Sequence, residues 1–424
     1  MSRFTIKGGK RLSGEYTVGG NKNAVLPMLA ACTLTDEPLV LDNVPLIDDV
    51  RTMIEILRGL GVAVERKDHT VTLCARGLRR GRLSPELCRQ VRSSILFAGP
   101  LAARLGRATL FPPGGDIIGR RRVDTHFDGL RALGIEVGGG AHYSLRRRAL
   151  RGAAIVLDEA SVTATENVLM AATLAPGTTT IFNAACEPHV QDLCALLNKM
   201  GARIEGIGTN LLRIAGVDAL HGATHRVQPD LIELGSLVTA AAVTGGELTV
   251  RGVCPDQVAI VRRSFQRLGI AWTVEGDTLR LTARQKLRIV KDFGGVVPKI
   301  EDGTWPGFPS DLMSVAIVAA TQATGTILFF EKLFESRMYF VDQLRAMGAN
   351  IIQCDPHRVL VVGPHHLHGT HMASPDIRAG MALLIAALCA KGVSTIDNAE
   401  SIDRGYERVE EKLRALGADI TREE

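Results

Sequence analysis

The chain has 424 residues, 46% of them apolar, which is more than one hydrophobic core normally holds, so two or three globular domains are expected. Only 4% is aromatic, which argues against a stacking surface for single-stranded nucleic acid and for closely packed α/β layers. A formal charge of +5 fits small anionic ligands as readily as a polyanion. No apolar stretch reaches the roughly 18 residues that a membrane-spanning helix needs, so no membrane insertion is expected. Cysteines stand at 32, 74, 88, 186, 194, 254, 354 and 389 without a CxxC pair. With no signal peptide at the start, they read as reduced core thiols of a cytoplasmic protein rather than as metal ligands or disulfides.

A short tag recurs along the chain as LRGLG (57–61), LRALG (130–134), LNKMG (197–201), FQRLG (265–269), LRAMG (344–348) and LRALG (413–417), with its glycines 73, 67, 68, 79 and 69 residues apart. Such a period marks a repeated supersecondary unit. Each tag closes an amphipathic helix with a glycine where a left-handed cap is needed, and a β-like run follows it. Upstream of each lies a more uniformly apolar, and therefore buried, helix. The unit reads as α-β-α-β-β, and six copies of about 70 residues predict an α/β fold of two domains with three modules each, an inside-out α/β barrel.

In chain order, the strand region Phe4 to Gly20 has no helix of its own and is expected to complete the sheet of the last module. The first buried helix (NAVLPMLAACTL) starts at Asn21, Lys22 and Asn23, and the second (RSSILFAGPLAARL) at Arg92, Ser93 and Ser94. The third starts at Ser161, Thr163 and Thr165, and a domain border follows near HRVQPD, 225–230. That border gives domains of 1–20 plus 230–424 and of 21–229. The remaining helices start at Asp230 and Glu233, at Ser310 and Asp311, and at Asp376 and Arg378. Ser, Thr, Asp and Asn at these positions are ordinary caps. Lys22, Arg92 and Arg378 are not, because the helix dipole disfavours a cation there, so each needs an anion nearby. Three helix N-termini per domain aimed at a common cleft, with Lys22, Arg92, Arg121, Arg378 and Arg404 lining it, would suit a ligand carrying at least two anionic groups, with domain closure excluding water.

Between the second and third helices runs FPPGGDIIGRRRVDTH, 111–126, which sets one carboxylate, Asp116, between a Pro-Pro-Gly-Gly turn and Arg120, Arg121, Arg122 and His126. Two glycines allow positive φ and close backbone approach, and arginine supplies forked donors for carboxylate or phosphate oxygens. The loop suits an anionic ligand and a proton donor. The basic runs RGLRRGR (76–82) and RRRALR (146–151) read as surface turns.

The module, GGNKNAVLP (19–27), the loop just described, FNAACEPHVQD (182–192), PGFPSDL (306–312), FESR (334–337), DIRAG (376–380) and IDRGYERVEEKLRALGA (402–418) together resemble, over essentially the whole chain, the UDP-N-acetylglucosamine 1-carboxyvinyltransferases. These are enolpyruvyl transferases of the committed step of peptidoglycan synthesis. The resemblance implies transfer of the enolpyruvyl group of phosphoenolpyruvate to the 3'-hydroxyl of UDP-N-acetylglucosamine with release of phosphate, on small-molecule substrates and with no redox or metal cofactor. A hydroxyl adds to C2, C3 takes a proton, and phosphate leaves after C3 gives a proton back. By the same resemblance Asp311 accepts the hydroxyl proton and Asp116 is the general acid. Lys22, Arg121, Arg337, Arg378 and Arg404 hold phosphoenolpyruvate and phosphate, and Asn23 and Asp311 contact the amino sugar. Arg92, Arg121, Arg122, Val123, Asp124, Thr125, Ser161, Val162 and Leu333 lie near the nucleotide.

This sequence departs from the common pattern of that family at four positions. Asp116 stands in place of the usual cysteine, an aspartate variant that implies resistance to fosfomycin, which alkylates the thiol. Glu159 replaces a common lysine, Thr163 a glycine and Arg122 a proline. These changes keep a paralogous transferase with another nucleotide acceptor as an alternative. A nucleic-acid-end enzyme built from related modules is disfavoured by the scarcity of aromatic residues and by the intact phosphoenolpyruvate set. Retention of Lys22, Asp311, Arg378 and Arg404 likewise disfavours a silent homologue.

Overall fold

A computed structural model describes residues 2–116 and 118–424. The chain divides into two compact α/β units: a terminal unit of residues 2–19, 118–120 and 229–424, and an inserted unit of 20–116 and 121–228. Each has its own continuous apolar core.

The core of the terminal unit is built on the helices Leu231–Val243, Met313–Gln322 and Ile377–Cys389, which pack on one another. Nearly every side chain on them is buried, as their lack of a polar face requires. In the inserted unit the same place is taken by Lys22–Ala31, by the 3-10 turn Arg92–Phe97 running into Ala98–Leu105, and by Val162–Ala172. Sheets surround these helices, and their strands alternate buried and exposed residues, as in Glu247–Arg251, so one face of each covers the helices and the other is solvated. Among the described residues there are five four-stranded sheets and one three-stranded sheet. The tag glycines Gly61, Gly134, Gly201, Gly269, Gly348 and Gly417 have φ between 80° and 101°, which an L side chain adopts only at a cost.

Two expectations are corrected. The five-element module lacks a strand: a short parallel edge strand precedes the buried helix in five sheets, at Ser13–Thr17, Ala154–Val156, Ala223–Arg226, Lys299–Glu301 and His371–Ala373. In the remaining sheet a single parallel bridge, Arg82 to Thr109, takes its place. The N-terminal region also divides. Arg3–Lys7 lies between Val393–Asp397 and Asp419–Glu423 and completes the last sheet, whereas Ser13–Thr17 pairs with Glu247–Arg251 of the fourth. No helix of the described residues is long and apolar enough to cross a membrane, and the eight cysteines are free thiols.

Candidate active site

In the inserted unit the cation at the first helix start has its anion. Asn21 caps the helix by accepting from the Ala24 amide at 3.0 Å. Lys22, with 8% of its side chain exposed, places Nζ 2.8 Å from Asp49 Oδ2. Asp49 lies in the first turn of the helix Asp48–Leu60, where the dipole favours a carboxylate. Ser161 is likewise a cap, accepting from the Ala164 amide at 3.4 Å ahead of Val162–Ala172.

Arg92 is engaged differently. Its Nη2 donates to the backbone oxygens of Arg121 and Arg122, each at 3.0 Å, and its buried Nε has no partner. Burial and then the Arg121 charge push its pKa down to about 10. It therefore ties down the arginine loop while retaining a donor. Arg122, 39% exposed, reaches Asp124 at 3.2 Å and Asp158 at 2.9 Å. Thr125 Oγ1 donates to the other Asp158 oxygen at 2.6 Å. That hydrogen bond first, and Arg122 after it, hold Asp158 below the usual carboxylate range. Val123 ends the loop and precedes the helix Asp124–Ala132. Asp116 is half-buried on the irregular run after the two glycines. Those glycines have separate tasks: a Cβ on Gly114 would lie 1.7 Å from the Arg89 oxygen, and Gly115 has φ +99°.

His126 is not the cation that its place among arginines suggests. It is buried, and burial together with Arg92 and Arg121 pushes its pKa down to about 3. Asn167 fixes the tautomer. Its Oδ1 accepts from the Gly99 amide at 2.5 Å, so its amide nitrogen donates to His126 Nδ1 at 3.1 Å. His126 Nε2 then donates to Thr163 Oγ1 at 3.1 Å. Thr163 is thus the terminus of a hydrogen-bonded chain, and Glu159, four residues before it, is exposed.

In the terminal unit, Asp376 caps the helix Ile377–Cys389, with Oδ1 accepting from the amides of Arg378 and Ala379 at 2.8 and 2.9 Å. The cation at this helix start also has its anion. Asp311 Oδ2 accepts from Arg378 Nη2 at 2.8 Å and Nε at 3.1 Å, while Oδ1 accepts from Arg337 Nη2 at 2.9 Å. Both guanidiniums are buried and the carboxylate is 23% exposed. Burial pushes the Asp311 carboxyl up, but Arg378 and Arg337 outweigh it and hold it well below the usual range. The Arg378 guanidinium carbon lies 5.5 Å from the centre of the Tyr406 ring, and Tyr406 meets Ser236 Oγ at 2.9 Å. Arg337 Nε is buried without a partner. Leu333, 43% exposed, has its amide on Asp302 at 3.3 Å. Arg404 directly follows the short helix Glu400–Asp403.

The structure thus brings together Asp311, Arg337 and Arg378 in one unit, and in the other Arg92 with Arg121 and Arg122, and Arg122 with Asp124 and Asp158. Sequence reasoning missed Asp49, Asp158 and Tyr406. An acid in a first helical turn reads as ordinary dipole compensation, and only Tyr406, inside IDRGYER, carried a motif signal.

Residues 6–413 match the family described as EPSP synthase (3-phosphoshikimate 1-carboxyvinyltransferase). The chain is 54% identical over 421 residues to the UDP-N-acetylglucosamine 1-carboxyvinyltransferase of Bradyrhizobium diazoefficiens, covering 99% of this chain and 98% of that one. It is 53% identical over 424 residues to the enzyme of that name from Treponema pallidum, covering all of both. Its fold superposes on the enolpyruvyl transferase NikO from Streptomyces tendae with a TM-score of 0.88 at 25% identity, over 99% of this chain and 98% of the other. The chain belongs to the enolpyruvyl transferase family, alongside the UDP-N-acetylglucosamine 1-carboxyvinyltransferases.

Proposed function

We propose that the protein transfers the enolpyruvyl group of phosphoenolpyruvate to the 3'-hydroxyl of UDP-N-acetylglucosamine, with Asp311 as the base at the hydroxyl and Asp116 as the acid facing C3. The observation that carries this reading is the Asp311 clamp: one carboxylate neutralising two buried guanidiniums, Arg337 and Arg378. Forked cations of this kind match the carboxylate and phosphate of phosphoenolpyruvate. A carboxylate held so acidic is a poor base, since the pKa of an effective base lies nearer the working pH. An arriving anion that takes over the guanidiniums raises the basicity of Asp311 when the hydroxyl has to lose its proton. The partnerless Nε of Arg337 is a further donor for that anion.

Addition then joins the acceptor oxygen to C2 while a proton from the Asp116 carboxyl reaches C3. Elimination returns a C3 proton to a base and expels phosphate, whose charge Lys22, Arg121 and Arg404 stabilise. Arg92, Arg122, Val123, Asp124, Thr125, Ser161, Val162 and Leu333 serve the nucleotide, and Asn23 the amino sugar. The free cysteines fit a protein that works in the cytoplasm. The test is phosphate release from phosphoenolpyruvate with UDP-N-acetylglucosamine as acceptor, with the product identified by mass as the enolpyruvyl ether. Acceptor-dependent release and that mass are expected. No release with this acceptor, but release with another nucleotide, would transfer the assignment to the paralogous reaction.

A further inference from the structure

The turn Lys332–Arg337 carries three tasks in the terminal unit. Leu333 is at its start and Arg337 reaches Asp311 from its end. Between them it holds the far end of the glycine loop: the Ser336 amide donates to the Ile118 oxygen at 3.2 Å, and Glu335 Oε1 accepts from the Arg120 amide at 2.8 Å. Two carboxyl groups support this turn, and neither is used by the chemistry above. Asp302 accepts from the amides of Lys332 at 2.5 Å and Leu333 at 3.3 Å. Glu331 accepts from the Phe334 amide at 3.2 Å and from Ser310 Oγ at 2.9 Å, and Ser310 directly precedes Asp311. Both side chains are buried, and they stand at the next step of the parallel pairing of Lys299–Glu301 with Leu328–Phe330, where the Asp302 amide donates to the Phe330 oxygen at 3.2 Å, which sets them side by side. Two buried carboxyl groups so placed are not both ionised at ordinary pH, because their repulsion is unscreened and neither is hydrated.

We infer that Glu331 and Asp302 share one proton, carried by Glu331 and donated to Asp302, and that this pair positions the turn that presents Leu333, the 118–120 segment and Arg337. The assignment follows from donors and acceptors. Each Asp302 oxygen is met by a backbone N–H, whereas Glu331 Oε2 is met only by the rotatable Ser310 hydroxyl at 2.9 Å, so the proton between the pair sits on Glu331. Burial first, and then Asp302, push the Glu331 carboxyl up to about 9, against the opposing charge of Arg337. The other groups around the pair are His357, whose Nδ1 donates to the Glu331 backbone oxygen at 2.7 Å, and the outer ion pair of Lys332 with Glu301. Asp311 is engaged with the arginines. The contribution of the shared proton is complete below the unfolded carboxyl range and is lost as pH rises through about 9.

The positioning role rests on the proposed reaction, whereas the shared proton does not, so the test has two arms on the full chain. The first is thermal unfolding between pH 7 and 10 of wild type, Glu331→Gln and Asp302→Asn. Glutamine keeps the donor toward Asp302 and the acceptor toward Ser310 and Phe334, so Glu331→Gln is expected to fold, to be at least as stable as wild type at pH 7 and to lose the alkaline decline. Asparagine turns a donor against an amide, so Asp302→Asn is expected to be strongly destabilised. Failure of Glu331→Gln to fold, or an alkaline decline unchanged in it, overturns the shared proton. The second arm is kcat/KM for phosphoenolpyruvate against pH. Its fall above about pH 9 in wild type is expected to move upward in Glu331→Gln. An unmoved profile in an enzyme that does release phosphate overturns the positioning role alone.

Discussion

Asp311 and Arg378 meet through a single carboxylate oxygen, which takes Nη2 at 2.8 Å and Nε at 3.1 Å. The carboxylate thereby answers the cation that the helix dipole disfavours, and it is also the group assigned as base. Asp311→Asn keeps the shape and removes the base, so kcat is expected to fall by about 10²–10⁴-fold. The sign of the pH dependence follows from the depressed carboxyl. The stability that the clamp supplies is present above the unfolded carboxyl range and is lost as pH falls through the depressed value. Acid unfolding of Asp311→Asn is therefore expected to be shallower than that of wild type, by calorimetry between pH 6 and 3.

Asp116 carries no thiol. Fosfomycin is expected to leave phosphate release unchanged at concentrations that stop a cysteine-bearing relative, and Asp116→Cys is expected to restore sensitivity. Asp116→Asn cannot deliver a proton and should lose activity by about 10²–10⁴-fold. Inactivation of the wild-type protein by low fosfomycin would contradict the role of Asp116.

His126 is held neutral, with its pKa pushed down to about 3, so its contribution to stability is present above its unfolded value and is lost on acidification toward the folded one. Thr163→Val removes the acceptor of the Nε2 proton at a buried site, which is expected to cost about 1–3 kcal/mol in denaturant unfolding. Thr163→Ser keeps the acceptor and should cost far less.

Arg122 pairs with Asp124 and Asp158 and is 39% exposed, so Arg122→Ala should change stability by less than about 1 kcal/mol. It is expected instead to raise KM for the nucleotide sugar well above any change for phosphoenolpyruvate, because Asp124 and Asp158 lose their common anchor. Equal effects on both substrates would remove that assignment.

The fold was legible wherever a residue type has one local meaning. Six glycines ending amphipathic helices located the modules, and helices apolar on all faces located the cores. The short edge strands were not legible: a run such as Ala154–Val156 buries one residue and pairs on one side only, which leaves no periodicity to read. At the site, the cations at two helix starts, Lys22 and Arg378, meet carboxylates of the protein itself, Asp49 and Asp311, whereas Arg92, for which an anion was equally expected, meets backbone oxygens. His126 was misleading because its charge depends on burial, and Asp302 and Glu331 have meaning only as a pair.

The claim that phosphoenolpyruvate displaces Asp311 from its arginines is tested most directly by the equilibrium dissociation constant of phosphoenolpyruvate for Asp311→Asn against wild type. If Asp311 competes for Arg337 and Arg378, the variant should bind phosphoenolpyruvate about threefold to tenfold more tightly, a gain of up to about 1.4 kcal/mol, while turning over far more slowly. Weaker binding by the variant would show that Asp311 holds the arginines in place for the ligand, and would contradict the exchange.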